Sequence, residues 1–181
     1  MHRVLVILAP GFEEIEAITS IDVLRRAKID TTTASLEENT NVIGSHGISI
    51  AADRPLSHAK NEAWTCLVLP GGLRGVENML ASSDVHDLIA QMVAKDKIVA
   101  AVCAAPLLLD AQNLLKDQSF TCHPCVQSRL TCGAPLHAPT ATSQNFITGR
   151  SAGCAMVWAL ELVKKLLGEC PNDLLAGLQL P

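Results

Sequence analysis

Three short runs, Val4 to Ala9, Cys66 to Leu69 and Ile98 to Val102, constrain this chain more than any other feature, because they are apolar at every position. A strand that wets one face alternates polar and apolar residues; one that does not alternate must be covered on both faces. Each run gives way to turn residues: Pro10-Gly11, Pro70-Gly71-Gly72, and Cys103-Ala104-Ala105-Pro106. Helical patterns follow. Glu14 to Ala27 carries Ile15, Ile18, Ile21 and Leu24 at steps of three, Val85 to Val93 reads as an amphipathic helix, and Leu107-Leu108-Leu109 opens another. Repetition of strand, turn and helix predicts an α/β fold, a three-layer sandwich with a mostly parallel central sheet. Thr31 to Ala34 reads as a second strand, Val42 to Ala51 as a hairpin around Ser45-His46-Gly47, Ser119 to Cys122 and Phe146 to Thr148 as short strands, and Cys154 to Leu167 as a closing helix.

The chain has 181 residues and is 49% hydrophobic, with no repeat, linker or low-complexity tract, so residues 1–181 are read as one domain. A formal net charge of -4 without a basic cluster lacks the footprint of a nucleic-acid binder. The first apolar run is too short to cross a membrane and has no cleavage signal behind it, which points to a buried strand of a cytoplasmic protein. The 7 cysteines are odd in number and scattered, so reduced thiols are expected.

In a parallel sheet, ligands bind beyond the carboxyl ends of the strands, where all three turns fall. Cys103 stands on a sharp strand-to-helix turn with small neighbours, the placement of a reactive thiol; most cysteines in such a chain are simply small buried hydrophobes. Glu13 and Glu14 suit the helix dipole in a first turn, whereas Glu16 is placed to turn toward the sheet edge, where burial would raise its pKa and let it carry a proton. Gly71 and Gly72 either make an ordinary turn or free backbone N–H groups for an oxyanion.

Together these segments resemble a family. Leu8-Ala9-Pro10-Gly11-Phe12-Glu13-Glu14-Ile15-Glu16-Ala17, Asp22-Val23-Leu24-Arg25-Arg26-Ala27, Val68-Leu69-Pro70-Gly71-Gly72 and Ile98 to Pro106 are similar to the DJ-1/ThiJ branch of the DJ-1/PfpI superfamily. The resemblance implies a flavodoxin-like fold and a homodimer with Arg26 near the subunit contact. It makes Cys103 the nucleophile, Glu16 its carboxyl partner, and Gly71, Gly72 and Ala104 the source of amides facing the sulfur. Thr121-Cys122-His123-Pro124 resembles the family's histidine before proline, which makes His123 the third catalytic candidate. PfpI-type peptidases carry histidine directly after the elbow cysteine; Ala104 stands there instead. Class I glutamine amidotransferases need a downstream His-x-Glu, and none of the 6 histidines is followed so.

The activity implied is cofactor-independent: a glyoxalase turning a small aldehyde such as methylglyoxal into lactate, or a protein deglycase. The alternative from another class is a redox sensor or redox-regulated chaperone built on the same cysteine. Three features depart from the family picture. Cys122-His123-Pro124-Cys125 is a C-x-x-C that invites a disulfide or a zinc site, although one such motif falls short of four ligands and no metal is expected. Gly149-Arg150-Ser151-Ala152-Gly153 replaces the usual Gly-Pro-Gly, and His46 stands where DJ-1-like proteins have arginine.

Overall fold

The structure, a computed structural model, describes residues 2–179. The chain runs β1 (Arg3–Leu8), α1 (Glu14–Arg26), β2 (Asp30–Ser35), β3 (Asn41–Ile43), β4 (Ser49–Ala51), β5 (Arg54–Pro55), α2 (Leu56–Ala59), β6 (Cys66–Leu69), α3 (Leu73–Leu80), α4 (Ser83–Ala94), β7 (Ile98–Val102) and α5 (Pro106–Asp110). After a 3₁₀ turn at Pro124–Arg129 come β8 (Thr140–Ser143), β9 (Phe146–Gly149), a second 3₁₀ turn at Ala152–Cys154, α6 (Ala155–Leu167) and α7 (Asn172–Leu178).

Seven strands form one sheet in the order β5-β2-β1-β6-β7-β9-β8, all parallel except β8. Its five longer parallel strands, taken in chain order, follow the flavodoxin-like pattern 2-1-3-4-5. The missing alternation of the apolar runs now has its cause. Leu5, Ile7, Leu67, Leu69, Val99 and Ala101 pack with Val76, Met79, Leu88, Ile89 and Leu108 from α3 to α5. Their neighbours Val4, Val6, Leu8, Cys66, Val68, Ala100 and Val102 pack on the opposite side with Val23 and Leu24 of α1 and Trp158 and Leu162 of α6. Both faces of every central strand are therefore dry, which gives the three-layer sandwich. Register is tight: Val4 stands beside Cys66, and Leu67 beside Val99.

Two readings change, and two helices are added. Helix α1 forms, but Ile15 and Ile18 are 57% and 43% exposed while Glu14, Glu16, Ala17, Ser20, Ile21, Val23 and Leu24 are buried. Steps of three rotate 300° each, so residues 15 to 24 drift across the helix; the buried stripe mixes steps of three and four. Ser119 to Cys122 is not a strand. Thr121 instead takes its partners from side chains, its N–H donating to Thr148 Oγ1 at 2.9 Å and its hydroxyl reaching the carbonyls of Leu136 and Ala138. Helices α3 and α7 were not legible, α3 because Gly75 interrupts its apolar pattern.

The switch point lies between β1 and β6, where the chain leaves β1 for β2 on one side and returns as β6 on the other. Beyond it sit the Pro10-Gly11 turn, the start of α1 and the Pro70-Gly71-Gly72 turn.

Candidate functional site

Cys103 follows β7 directly and has φ 63°, in the left-handed region. A non-glycine residue there costs on the order of 1–3 kcal/mol, so the surroundings must hold it. They do so through the backbone: Cys103 N–H donates to Gly149 O at 2.9 Å, and Cys103 O accepts from His123 N–H at 2.8 Å. The first bond ties the elbow to β9, the second to the loop entering the 3₁₀ turn at Pro124.

Glu16 reaches the same place from the first turn of α1, whose start is capped by Glu13: Glu16 N–H donates to Glu13 Oε2 at 2.8 Å. Its side chain is 0% exposed. Oε2 accepts from Gly71 N–H at 2.7 Å, whereas Oε1, equally buried, has no hydrogen-bond partner of the conventional kind. Burial pushes this carboxyl up to about 7, against the opposing pull of hydrogen bonds from Cys103 and Gly71. The Cys103 thiol is pushed up as well, first by burial and then by a charged Glu16, while the amides of Gly72 and Ala104 favour the thiolate. Carboxyl and thiol thus titrate as a coupled pair. Protonation of Glu16 removes the repulsion that disfavours a thiolate, and the two amides favour that thiolate.

The glycine pair divides its work. Sequence resemblance assigns both amides to the sulfur, but the Gly71 N–H is spent on Glu16, and only Gly72 joins Ala104 at the thiol. Gly71 matters for its missing side chain too: a Cβ there would lie 2.5 Å from Glu16 Oε2 and 2.6 Å from Cys103 Cβ. Gly72 has φ +85° and abuts the Gly11 carbonyl and the Glu13 amide.

His123 is brought beside the elbow through its backbone, but its ring turns elsewhere. Nδ1 lies 2.9 Å from Cys125 Sγ and accepts the Cys125 N–H at 3.2 Å; no hydrogen bond joins the ring to Cys103 among the described residues. The Gly149 to Gly153 segment leads from the end of β9 into the second 3₁₀ turn, with Arg150 Nη2 at 2.9 Å from His137 Nε2. Arg26 pairs with Asp22 on its own helix at 2.6 Å.

Sequence reasoning missed Glu14. Buried two residues before Glu16, it accepts from Ser45 Oγ at 3.0 Å and His46 N–H at 2.6 Å, and pairs with His46 Nδ1 at 2.8 Å, so it clamps the hairpin turn onto α1. Burial alone would raise it, but the His46 and Ser45 hydrogen bonds outweigh burial and bring it down to about 2. A glutamate in a first turn looks like a dipole complement whichever way it points, so nothing local marked it. Glu13, Glu14 and His46 each bring one possible ligand atom within 4.8 Å of the others. Both Glu14 oxygens and Glu13 Oε2 already accept protein hydrogens, however, a poor arrangement for a cation.

The match with known proteins accords with this geometry. The model of the DJ-1/PfpI family covers residues 2–165. This chain belongs to the DJ-1/PfpI family. The Drosophila melanogaster protein dj-1beta is 36% identical over 91% of this chain and 89% of its own length. Its crystal structure superposes with a TM-score of 0.95, covering 100% of both chains. A Caenorhabditis elegans family member named glutathione-independent glyoxalase DJR-1.2 is 31% identical over 96% of this chain and 94% of its own. The chain spans 38% of the Arabidopsis thaliana protein DJ-1 homolog B, to which it is 34% identical. Among the described residues, no helix is long and apolar enough to cross a membrane.

Proposed function

We propose that this protein is a cysteine-dependent, glutathione-independent glyoxalase acting on small reactive carbonyls such as methylglyoxal. The observation that carries the reading is the buried Glu16 carboxyl, raised to about 7, held by a single amide from Gly71 and set against a strained elbow thiol. A group titrating near neutrality can both give and take a proton, and a reaction that moves hydrogen between adjacent carbons needs such a group. The glyoxalase named in the nematode relative supports the substrate class.

The steps balance with one proton carrier. The Cys103 thiolate attacks the aldehyde carbon, and the resulting oxyanion is stabilised by the Gly72 and Ala104 amides and protonated by Glu16 to a hemithioacetal. Ionised Glu16 then takes the hydrogen from that carbon as a proton, leaving an enediolate, and returns it to the neighbouring carbon while the hydroxyl proton passes to the former ketone oxygen, giving a lactyl thioester. Water hydrolyses the thioester, releasing lactate and the thiolate; of the two protons set free, one returns to Glu16 and the other leaves to solvent. No cofactor is needed. Glu16 takes the proton role here because the His123 Nδ1 is occupied by Cys125. Lactate formation without glutathione, lost in Cys103→Ser and Glu16→Gln, tests the reading; turnover unchanged in both variants sinks it.

A second reading rests on the same amides, which would equally hold the oxygens of a sulfinate at Cys103. Stoichiometric oxidation of Cys103 without turnover selects the sensor. A homodimer fits the surface: Ile15 and Ile18 of α1 are exposed, as are Ile43 and Ile48 of the hairpin that Glu14 clamps to α1. Sedimentation of Ile18→Lys as a monomer, beside a dimeric wild type, checks it. The free state of all the cysteines suits a reducing compartment such as the cytoplasm.

A further inference from the structure

Cys125 is the exposed member among the cysteines, and it has a base beside it. Its Sγ lies 2.9 Å from His123 Nδ1, and that nitrogen also accepts the Cys125 backbone N–H at 3.2 Å. An atom that accepts an N–H carries no proton of its own, so in the neutral ring the hydrogen sits on Nε2 and the thiol hydrogen is the one directed at Nδ1. The backbone holds this pair in place. Val126 N–H donates to His123 O at 3.1 Å, His123 N–H donates to Cys103 O at 2.8 Å, and Pro124 occupies the first position of the 3₁₀ turn with its φ locked by the ring.

Among the described residues, the remaining thiols outside the elbow have no imidazole beside them. Cys66 is buried and pushed up by desolvation; Cys122 is buried and pushed up to about 11; Cys132, pushed up by partial burial and by hydrogen bonding to Asp110, reaches about 12. Cys170 donates to Leu160 O at 3.4 Å, and Cys154 accepts from Ser151 Oγ at 3.8 Å. Cys122, the nearest in sequence, is 1% exposed, whereas Cys125 is open to a sulfur arriving from solvent.

We propose that Cys125, paired with His123, is a second nucleophilic thiol, separate from Cys103, that takes up low-molecular-weight disulfides of the glutathione class as a mixed disulfide. The Cys125 proton passes to His123 Nδ1, and the thiolate attacks one sulfur of the incoming disulfide. A new S–S bond forms to that half, the original S–S bond breaks, and the other half leaves as a thiolate that collects the proton from the imidazolium. Cys125 is oxidised to the disulfide level and the departing half is reduced to a thiol, so electrons balance with the disulfide itself as oxidant.

The test uses full-length protein carrying Cys103→Ala, so that the elbow does not contribute, incubated with oxidised glutathione near neutral pH and followed by intact mass and peptide mapping. A single glutathionyl addition on Cys125 is expected, absent when Cys125→Ser is added and slowed about ten-fold or more by His123→Ala. His123→Gln, which retains an acceptor for the Cys125 N–H but is no base, is expected to slow it equally, and it carries the test if the alanine variant fails to fold. Addition at another cysteine, an unchanged rate in the histidine variant, or a loss of two hydrogens through an internal Cys122–Cys125 bridge in place of the adduct would each overturn the proposal.

Discussion

Glu14 and Glu16 lie two residues apart on one helix, both buried, yet one is held near 2 and the other near 7. Desolvation is the largest influence on each, and Glu16 is the deeper of the two. Their donors differ as well. Glu14 meets the Ser45 hydroxyl, the His46 N–H and the His46 ring; Glu16 meets one amide, from Gly71, and a thiol that competes for its proton. A carboxylate surrounded by hydrogen donors becomes a structural anchor, and one left short of them becomes a proton carrier. The same contrast separates rigid hairpin from reactive elbow.

The largest expected effect removes the sulfur from the second environment. Cys103→Ser is expected to cut methylglyoxal turnover by about 10³-fold or more, measured as lactate release, since a hydroxyl beside a shared carboxyl proton is a far weaker nucleophile. Next, Glu16→Gln is expected to lower kcat by about 10²-fold or more. It also tests the titration directly. A carboxyl whose folded pKa is raised from 4.5 to about 7 contributes stability fully present below 4.5 and lost as pH rises through 7. The wild type is therefore expected to lose about 3 kcal/mol across that window in urea unfolding, and the glutamine variant to lose this slope.

Glu14 has the opposite sign. Its folded pKa, lowered from 4.5 to about 2, contributes stability present above 4.5 and lost as pH falls through 2, again about 3 kcal/mol. Glu14→Gln is expected to remove that acid-limb slope while leaving the loss of stability from 4.5 to 7 untouched. Equal effects of the two variants on both limbs would break the comparison. Gly71→Ala sharpens it further: the added carbon presses on Glu16 Oε2 and Cys103 Cβ at once, so a destabilisation on the order of 1–3 kcal/mol is expected with a loss of turnover. The smallest effect belongs to His46→Ala, which removes the ring contact but leaves the backbone N–H donor on Glu14; the acid-limb midpoint is expected to move upward with turnover unchanged.

Much of this arrangement was legible in the chain. The apolar runs at Val4, Cys66 and Ile98 had to be strands buried on both faces, and the small residues around Cys103 required a sharp turn. Glu16 could be singled out by its place between Ile15 and Ala17 and by the family resemblance, although the spacing of Ile15 and Ile18 pointed to the wrong buried face. Strand β8 and helices α3 and α7 escaped because Thr140 to Ser143 has no apolar alternation, Gly75 breaks a short pattern, and α7 is short.

The sequence by itself determined the layered α/β architecture, the order of the strand ends and the elbow that carries Cys103, because these follow from local periodicity and turn chemistry. Tertiary structure alone decided that Glu14 is a buried anchor, which glycine amide faces the sulfur and where the His123 ring points. The two carboxyl groups rest on donors far along the chain, Gly71 for Glu16 and Ser45 and His46 for Glu14, and burial and hydrogen bonding fix a protonation state only once folding has set such groups side by side.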